Sequence, residues 1–241
     1  QPMLTSDESS IYSALVLATR DYITKNSFGG ALIGLSGGID SALTLAIAVD
    51  AIGAENVHAV MMPYEYTSEI SLTDSEMQAR TQGVHFSNID IHNMVDSFND
   101  SLSDLFENNS VDTTEENIQS RVRGTLLMAL SNKHHKIVLA TGNKSEMAVG
   151  YATLYGDMCG GFAPLKDISK SMVYKLSKYR NTISEVIPSR VITRPPSAEL
   201  APDQVDQDSL PPYDILDDIL KRFVEEKQSV SEIIAHRHST E

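Results

Sequence analysis

The sequence predicts an α/β fold, a parallel five-stranded sheet flanked by helices, in a single unit over residues 1–241. Three observations carry that expectation. Short apolar runs at 31–35, 57–62, 87–91 and 137–140 alternate with longer segments of helical spacing, the pattern of a parallel sheet covered on both faces. The 241 residues suit one large domain, and the AVILMFWYC set, at 41%, is enough for a substantial core. A Ser/Gly turn at 36–41 joins the first apolar run to an apolar helix. Sheets of this kind bind ligands there, outside the carboxyl ends of their strands.

The elements follow in order. Residues 10–24 set Ile11, Ala14, Leu15, Leu17, Ala18 and Tyr22 at helical spacing. Ser6, Asp7, Glu8 and Ser9 offer capping side chains and acid at that helix's start. Ser27-Phe28-Gly29-Gly30 is a turn, and 31–35 a short buried strand. Residues 41–51 form an apolar helix, and the second strand, 57–62, is stopped by Pro63. A helix at 72–82, a third strand at 87–91 and a helix at 93–106 come next. Residues 111–116 are polar and turn-like. The helix 117–130 puts Ile118, Val122, Leu126, Leu127 and Leu130 on one side. The fourth strand, 137–140, runs into Thr141-Gly142-Asn143. A helix at 169–179, a Pro-, Asp- and Ser-rich loop at 194–212 that wraps the surface, and an amphipathic helix at 213–226 complete the chain.

Composition excludes several function classes. Lys plus Arg number 19 and Asp plus Glu 33, so the formal charge is 19 − 33 = −14. Such a field repels phosphates, so no nucleic-acid or membrane partner is expected, and any bound phosphate must be held by a local device. The longest apolar run, 42–49, is interrupted by Thr44 and is far too short to span a bilayer. The single Cys159 excludes an internal disulfide and a thiolate-rich zinc site. With no signal-peptide pattern at the start, a cytoplasmic location is expected. The nine Met residues read as core filler, and His58, His92, His134 and His135 attract no role.

The chemistry concentrates in Gly34-Leu35-Ser36-Gly37-Gly38-Ile39-Asp40-Ser41. A strand, a Gly-rich turn and a helix N-terminus in that order make an anion nest, because glycines bring backbone N–H groups close to a phosphate. Ser36 and Ser41 add hydroxyl donors. A carboxylate repels phosphate, so Asp40 makes sense there as a ligand of a Mg²⁺ that bridges to phosphate oxygens. No Lys follows the glycines, so this is not a Walker loop. A rival stays open: Gly34-Leu35-Ser36-Gly37-Gly38 also satisfies the G-x-S-x-G elbow of serine hydrolases, with Ser36 as nucleophile. His85, His92, His134, His135, His236 and His238 all lie downstream.

The six residues from Ser36 to Ser41 resemble the loop of the ATP pyrophosphatases, which cleave ATP to AMP and pyrophosphate. Further stretches narrow the resemblance: Glu116-Asn117-Ile118-Gln119-Ser120-Arg121-Val122-Arg123, Leu139-Ala140-Thr141-Gly142-Asn143-Lys144-Ser145-Glu146, Tyr155-Gly156-Asp157, Phe162-Ala163-Pro164-Leu165-Lys166-Asp167 and Arg194-Pro195-Pro196-Ser197-Ala198-Glu199-Leu200. Together they resemble the NAD⁺ synthetases from about residue 11 to 234, most closely the synthetase portion of the glutamine-dependent type. The resemblance implies an adenine nucleotide alpha hydrolase-like (Rossmann-like) fold. It implies a ligase of NAD biosynthesis that amidates deamido-NAD⁺ through an adenylated intermediate. ATP and Mg²⁺ would be consumed or bound, and ammonia would come from solution or from glutamine. The alternatives are another amidating ligase, GMP-synthetase-like, and the hydrolase.

Roles carry over by position. Gly34, Leu35, Ser36, Gly37, Gly38, Ile39, Asp40 and Ser41 match the ATP loop, and Thr141, Lys170 and Ser197 match further ATP contacts. Asp40 and Glu146 match Mg²⁺ ligands. Asn117, Arg121, Glu146, Tyr151, Leu154 and Asp157 match the dinucleotide and ammonia region, with Ser36, Asp157 and Lys170 closest to the chemistry. Departures exist too. Some ammonia-dependent relatives carry Lys at Leu154 and Asp at Gly161, and some relatives carry Arg at Met61. The resemblance further implies a homodimer with the substrate site at its interface. It also implies that this chain lacks an amidase domain ahead of it and a basic tail beyond His236-Arg237-His238-Ser239-Thr240-Glu241.

Overall fold

The computed structural model describes residues 6–106 and 110–237. Helix α1 (Asp7–Lys25) precedes β1 (Ala31–Gly34), α2 (Ile39–Ile52), β2 (Val57–Met61), α3 (Glu69–Gln82) and β3 (His85–Asn88). Then come α4 (His92–Phe106), α5 (Thr113–His134), β4 (Ile137–Val138), α6 (Lys144–Val149), α7 (Lys170–Ile183), α8 (Ser189–Thr193), α9 (Tyr213–Leu220) and α10 (Val230–Arg237).

The sheet runs β3-β2-β1-β4, and all its pairings are parallel, with Ala31 beside both Val57 and Ile137. Among the described residues it has four strands where the sequence predicted five. Beyond β4 only one parallel bridge forms, Leu139 to Phe162. Gly160 and Gly161 precede it and Pro164 follows it. Gly161 still donates to Val138 O at 2.9 Å, but two glycines weaken a strand and Pro164 has no N–H to extend the ladder. Alternation along β1 splits the core. Ala31, Ile33 and Leu35 pack with Leu45 and Ala48 of α2. Leu32 faces the other way, against Ile118, Val122 and Leu127 of α5. A separate apolar cluster joins α1, α2 and α7 through Tyr12, Leu43, Ile47, Val173 and Leu176. At its rim Asp50 takes the Tyr12 hydroxyl at 2.7 Å and both arms of Arg180, pinning the three helices together.

Several boundaries shift from the sequence reading, each for a local reason. The third strand is His85–Asn88, not 87–91, because its pairing is set by β2, and Ile91 instead turns the chain by donating to Pro63 O. The segment 111–116 holds the start of α5. Asp112 accepts from the Thr114 amide at 2.7 Å while Glu115 reaches back to the Asp112 amide at 2.9 Å, a capping box that extends the helix four residues earlier than its apolar stripe. The helix expected over 213–226 is α only to Leu220. It widens into a π-turn over Lys221–Glu225, where Glu225 turns to pair with Lys144. The expectations for His238 and the residues after it lie outside the described residues. None of the described helices is long and apolar enough to cross a membrane.

Candidate active site

The carboxyl ends of β1, β2 and β4 open into one cleft of about 800 Å³. The turn after β1 forms its floor. The Ser36 amide donates to Ser41 Oγ at 3.2 Å, the two hydroxyls stand 3.1 Å apart, and the Gly38 amide donates to Ser36 Oγ at 3.2 Å. Gly37 has φ +79°, and a Cβ there would lie 2.7 Å from Ser71 O, so only glycine fits. Gly38 caps α2 without a side-chain hydrogen bond, which leaves the first-turn amides and the positive end of a 14-residue helix facing the cleft.

Above this turn sits a cation between two carboxylates. Lys170 Nζ lies 2.5 Å from Asp40 Oδ2 and 2.8 Å from Glu146 Oε1. The lysine is 2% exposed. Burial opposes its charge, but Asp40 and Glu146 outweigh that and hold it well above the usual lysine range. Burial and the Asp40 charge together push Glu146 above the usual carboxylate range, against the pull of Lys170. Asn143 fixes the other Asp40 oxygen through Nδ2 at 2.8 Å, and it caps α6 by accepting from the Glu146 amide at 3.0 Å. The backbone start of α7, which carries Lys170, is held by Ser145 and by Asp217 of α9. Tyr213 lies beneath the ammonium at 5.2 Å, and its hydroxyl donates to Asp206.

The other predicted residues fall in three groups. Gly34, Leu35, Ile39, Thr141, Tyr151 and Asp157 line the cleft with Ser36, Gly38, Asp40, Ser41, Glu146 and Lys170, and so does Ser197, while Gly37 is turned toward α3. The Ser197 hydroxyl is already committed to Gln204 O. Tyr151 donates to Asp206 at 3.4 Å, and Asp157 is pushed above the usual range by burial. Asn117 and Arg121 do not line the cleft. They brace the segment that carries Asp157: Asn117 accepts the Thr153 hydroxyl at 2.8 Å, and Arg121 donates to Leu154 O at 3.2 Å. The Leu154 side chain is 57% exposed and points away from the cleft's lining. Among the described residues, Ser36 Oγ meets only Ser41 Oγ and the Gly38 amide, and no histidine lines the cleft.

Sequence reasoning passed over several residues. Arg123 donates Nε to Met62 O at 3.0 Å and lines the cleft with its terminal nitrogens unpaired; burial brings it down to about 10, so it stays charged. It stands two residues past Arg121, about 200° around the helix, so one helix aims one arginine outward and the next inward. Arg194, Glu199, Asp206 and Asp217 also had no role. Arg194 and Glu199 lie within the family-like stretch 194–200; nothing in the sequence marks Asp206 and Asp217.

The family model described as NAD synthase matches residues 11–241. The chain belongs to the NAD synthase family. It is 65% identical over 229 residues to the glutamine-dependent NAD(+) synthetase of Acinetobacter baylyi, covering 94% of this chain and 42% of that protein. The same enzyme of Xanthomonas campestris is 54% identical, with 95% and 42% covered. The chain thus spans about two-fifths of the length of the curated relatives it matches. Among solved structures, the glutamine-dependent NAD⁺ synthetase of Acinetobacter baumannii in complex with ADP shares 55% identity at a TM-score of 0.80, covering 98% of this chain and 43% of that one. An NMN synthetase of Francisella tularensis shares 27% at a TM-score of 0.83, with 97% and 92% covered. The NH3-dependent NAD synthetase of Campylobacter jejuni shares 26% at 0.74, with 96% and 92% covered. This membership sets aside the GMP-synthetase-like alternative.

Proposed function

We propose that this chain is an ATP-dependent amidating domain that converts deamido-NAD⁺ to NAD⁺, releasing AMP and pyrophosphate. The observation that carries the reading is the junction of the 36–41 turn with the Asp40–Lys170–Glu146 cluster, inside a chain of this family. A carboxylate is a poor electrophile until it bears a leaving group. Its oxygen therefore attacks the α-phosphorus of ATP, and pyrophosphate departs. Ammonia then attacks the acyl carbon, and AMP leaves with the acyl oxygen.

The residues divide this work. Ser36, Ser41 and the amides at the start of α2 donate to the outer phosphates, where charge accumulates on the leaving pyrophosphate. Lys170 supplies a fixed positive charge beside them. Asp40 and Glu146 fit a Mg²⁺: both are hard oxygen donors, and they already converge on one cation. Bound there, Mg²⁺ would neutralise charge developing on the phosphates. Asp157, its carboxylate held by the Thr153 amide at 2.9 Å, takes a proton from ammonium to free the attacking amine.

The relatives' names support glutamine as the nitrogen source. A homodimer is proposed as well, since Leu154, Tyr155 and Met158 expose apolar surface beside Asp157. To test the reaction, the protein is mixed with ATP, Mg²⁺ and ammonium, with or without deamido-NAD⁺. AMP appearing only with the dinucleotide, in step with NAD⁺, is the expected result. Labelling of Ser36 by a fluorophosphonate with no AMP made would refute it.

The dinucleotide side has its own test. A Cβ on Gly124 would stand 2.8 Å from Tyr155 O and 3.0 Å from Gly156 O, so α5 and the Asp157 segment touch through that glycine. Gly124→Ala should push the segment off the helix and raise KM for deamido-NAD⁺ about tenfold, with KM for ATP little changed. Steady-state kinetics varying each substrate in turn decides it; equal effects on both would break the link between this segment and the dinucleotide.

A further inference from the structure

The loop after α8 borders the cleft at 194–200 and meets the phosphate turn on its α3 side. Arg194 Nη2 donates to the Gly37 carbonyl at 2.6 Å and to Ser71 Oγ at 3.0 Å. Glu199 accepts the hydroxyls of Ser68 at 2.8 Å and of Ser71 at 2.7 Å, and the Ser68 amide at 3.3 Å. Ser68 is the N-cap of α3, and Ser71 is fully buried. The Ser71 backbone is also what a Cβ on Gly37 would strike. Glu199 makes these bonds at φ +50°, a left-handed conformation that costs a residue with a side chain and persists only where surrounding contacts enforce it.

We infer that Arg194 and Glu199 are positioning residues for ATP, acting through the Gly37–Gly38 peptide; this rests on the amidating reading above. A trans peptide points its carbonyl and its N–H to opposite sides. Arg194 ties the carbonyl on the α3 side. The Gly38 N–H is thereby turned to the other side, where Ser36 Oγ accepts it. Burial agrees: Gly37 is packed against α3, whereas Ser36 and Gly38 line the cleft. A peptide between two glycines rotates with little steric resistance. Released, it can turn its carbonyl oxygen toward the triphosphate and replace a donor by a repelling acceptor. The Glu199 carboxylate, 3.8 Å from the Arg194 guanidinium, anchors the clamp to the start of α3. Both residues also border the cleft, and the clamp acts through the peptide whether or not either side chain reaches the nucleotide.

The experiment uses the full-length protein and the variants Arg194→Met, Arg194→Lys and Glu199→Gln. Binding of a non-hydrolysable ATP analogue is measured by calorimetry, alongside KM for each substrate and the melting temperature. Loss of a charged hydrogen bond predicts that Arg194→Met raises the analogue's Kd and KM for ATP about ten- to hundredfold, with KM for the dinucleotide within about twofold of wild type. Arg194→Lys should recover part of the loss, since an ammonium replaces one arm of the fork but not its geometry. Glu199→Gln should fall between. Equal rises in both KM values, or unchanged ATP affinity in Arg194→Met, would overturn the inference. Should Arg194→Met not fold, Arg194→Lys and Glu199→Gln decide by the same split. A wild type that binds the analogue yet makes no AMP refutes the amidating reading, while the analogue's Kd in the variants still decides the clamp.

Discussion

Asp40→Asn is expected to lower turnover by at least about 10²–10³-fold while the domain stays folded. Asp40 uses both oxygens: Oδ1 takes the Asn143 amide and Oδ2 the Lys170 ammonium. A carboxamide has one acceptor, so either Asn143 or Lys170 loses its partner, at a cost of about 1–3 kcal/mol. That is a tolerable loss, since Leu43, Ile47 and Leu45, which root the helix in the core, are untouched. The larger effect is on charge. One negative charge is gone from the pair proposed to hold Mg²⁺, and the ammonium is left leaning on Glu146 alone. Rates measured across a Mg²⁺ titration, together with a thermal melt, check this. A folded variant that turns over within a few-fold of wild type at ordinary Mg²⁺ would remove Asp40 from the metal site.

How much of this was legible depended on whether the cause was local. The 36–41 turn could be read because Ser36, Gly37 and Gly38 carry the backbone and donor requirements of an anion nest in their own chemistry. The helices α1, α2 and α5 could be read from their apolar spacing, although the start of α5 hid behind the polar capping box of Asp112 and Glu115. The fifth strand failed because the segment near Phe162 contributes only a bridge, limited by neighbouring glycines and Pro164.

At the site, residues were nameable where a motif surrounded them, but what they touch was not. Asn117 and Arg121 were matched to the dinucleotide, whereas the bonds they make brace the segment of Asp157. Arg123, two residues on, lines the cleft beside Ser120 and Leu127 of the same helix. That Lys170 stands between Asp40 and Glu146 joins residues 130 and 24 positions apart, a meeting that only the packing of α7 against α2 and α6 creates. Asp206 and Asp217 belong to the same kind: they orient Tyr151, Tyr213 and the start of α7, the first from a stretch whose composition reads as surface loop and the second from the amphipathic helix that follows it.

Lys170→Met gives the sharper test, because it separates two roles that a single activity loss would confuse. The lysine could serve only as a tie between Asp40 and Glu146, or it could share their site with a metal and act on the nucleotide. Removing it leaves two partly buried carboxylates facing each other without a counter-charge, which should cost about 3–5 kcal/mol without divalent cations. A buried tie alone predicts that loss and nothing more. If the carboxylates converge on one cation, Mg²⁺ should restore much of the variant's melting temperature, and raise it further than that of wild type, because a ligand that binds only the folded state stabilises it more the tighter it binds. In wild type the ammonium already occupies both oxygens, at 2.5 and 2.8 Å, so the ion gains less there. Turnover should meanwhile stay low even when Mg²⁺ has restored stability, since the phosphates have lost their fixed positive charge. Melting curves of both proteins with and without Mg²⁺, read beside their rates, distinguish the cases. The same Mg²⁺ shift in each would mean that Asp40 and Glu146 do not hold one metal between them, and recovery of turnover together with stability would confine Lys170 to the structural tie.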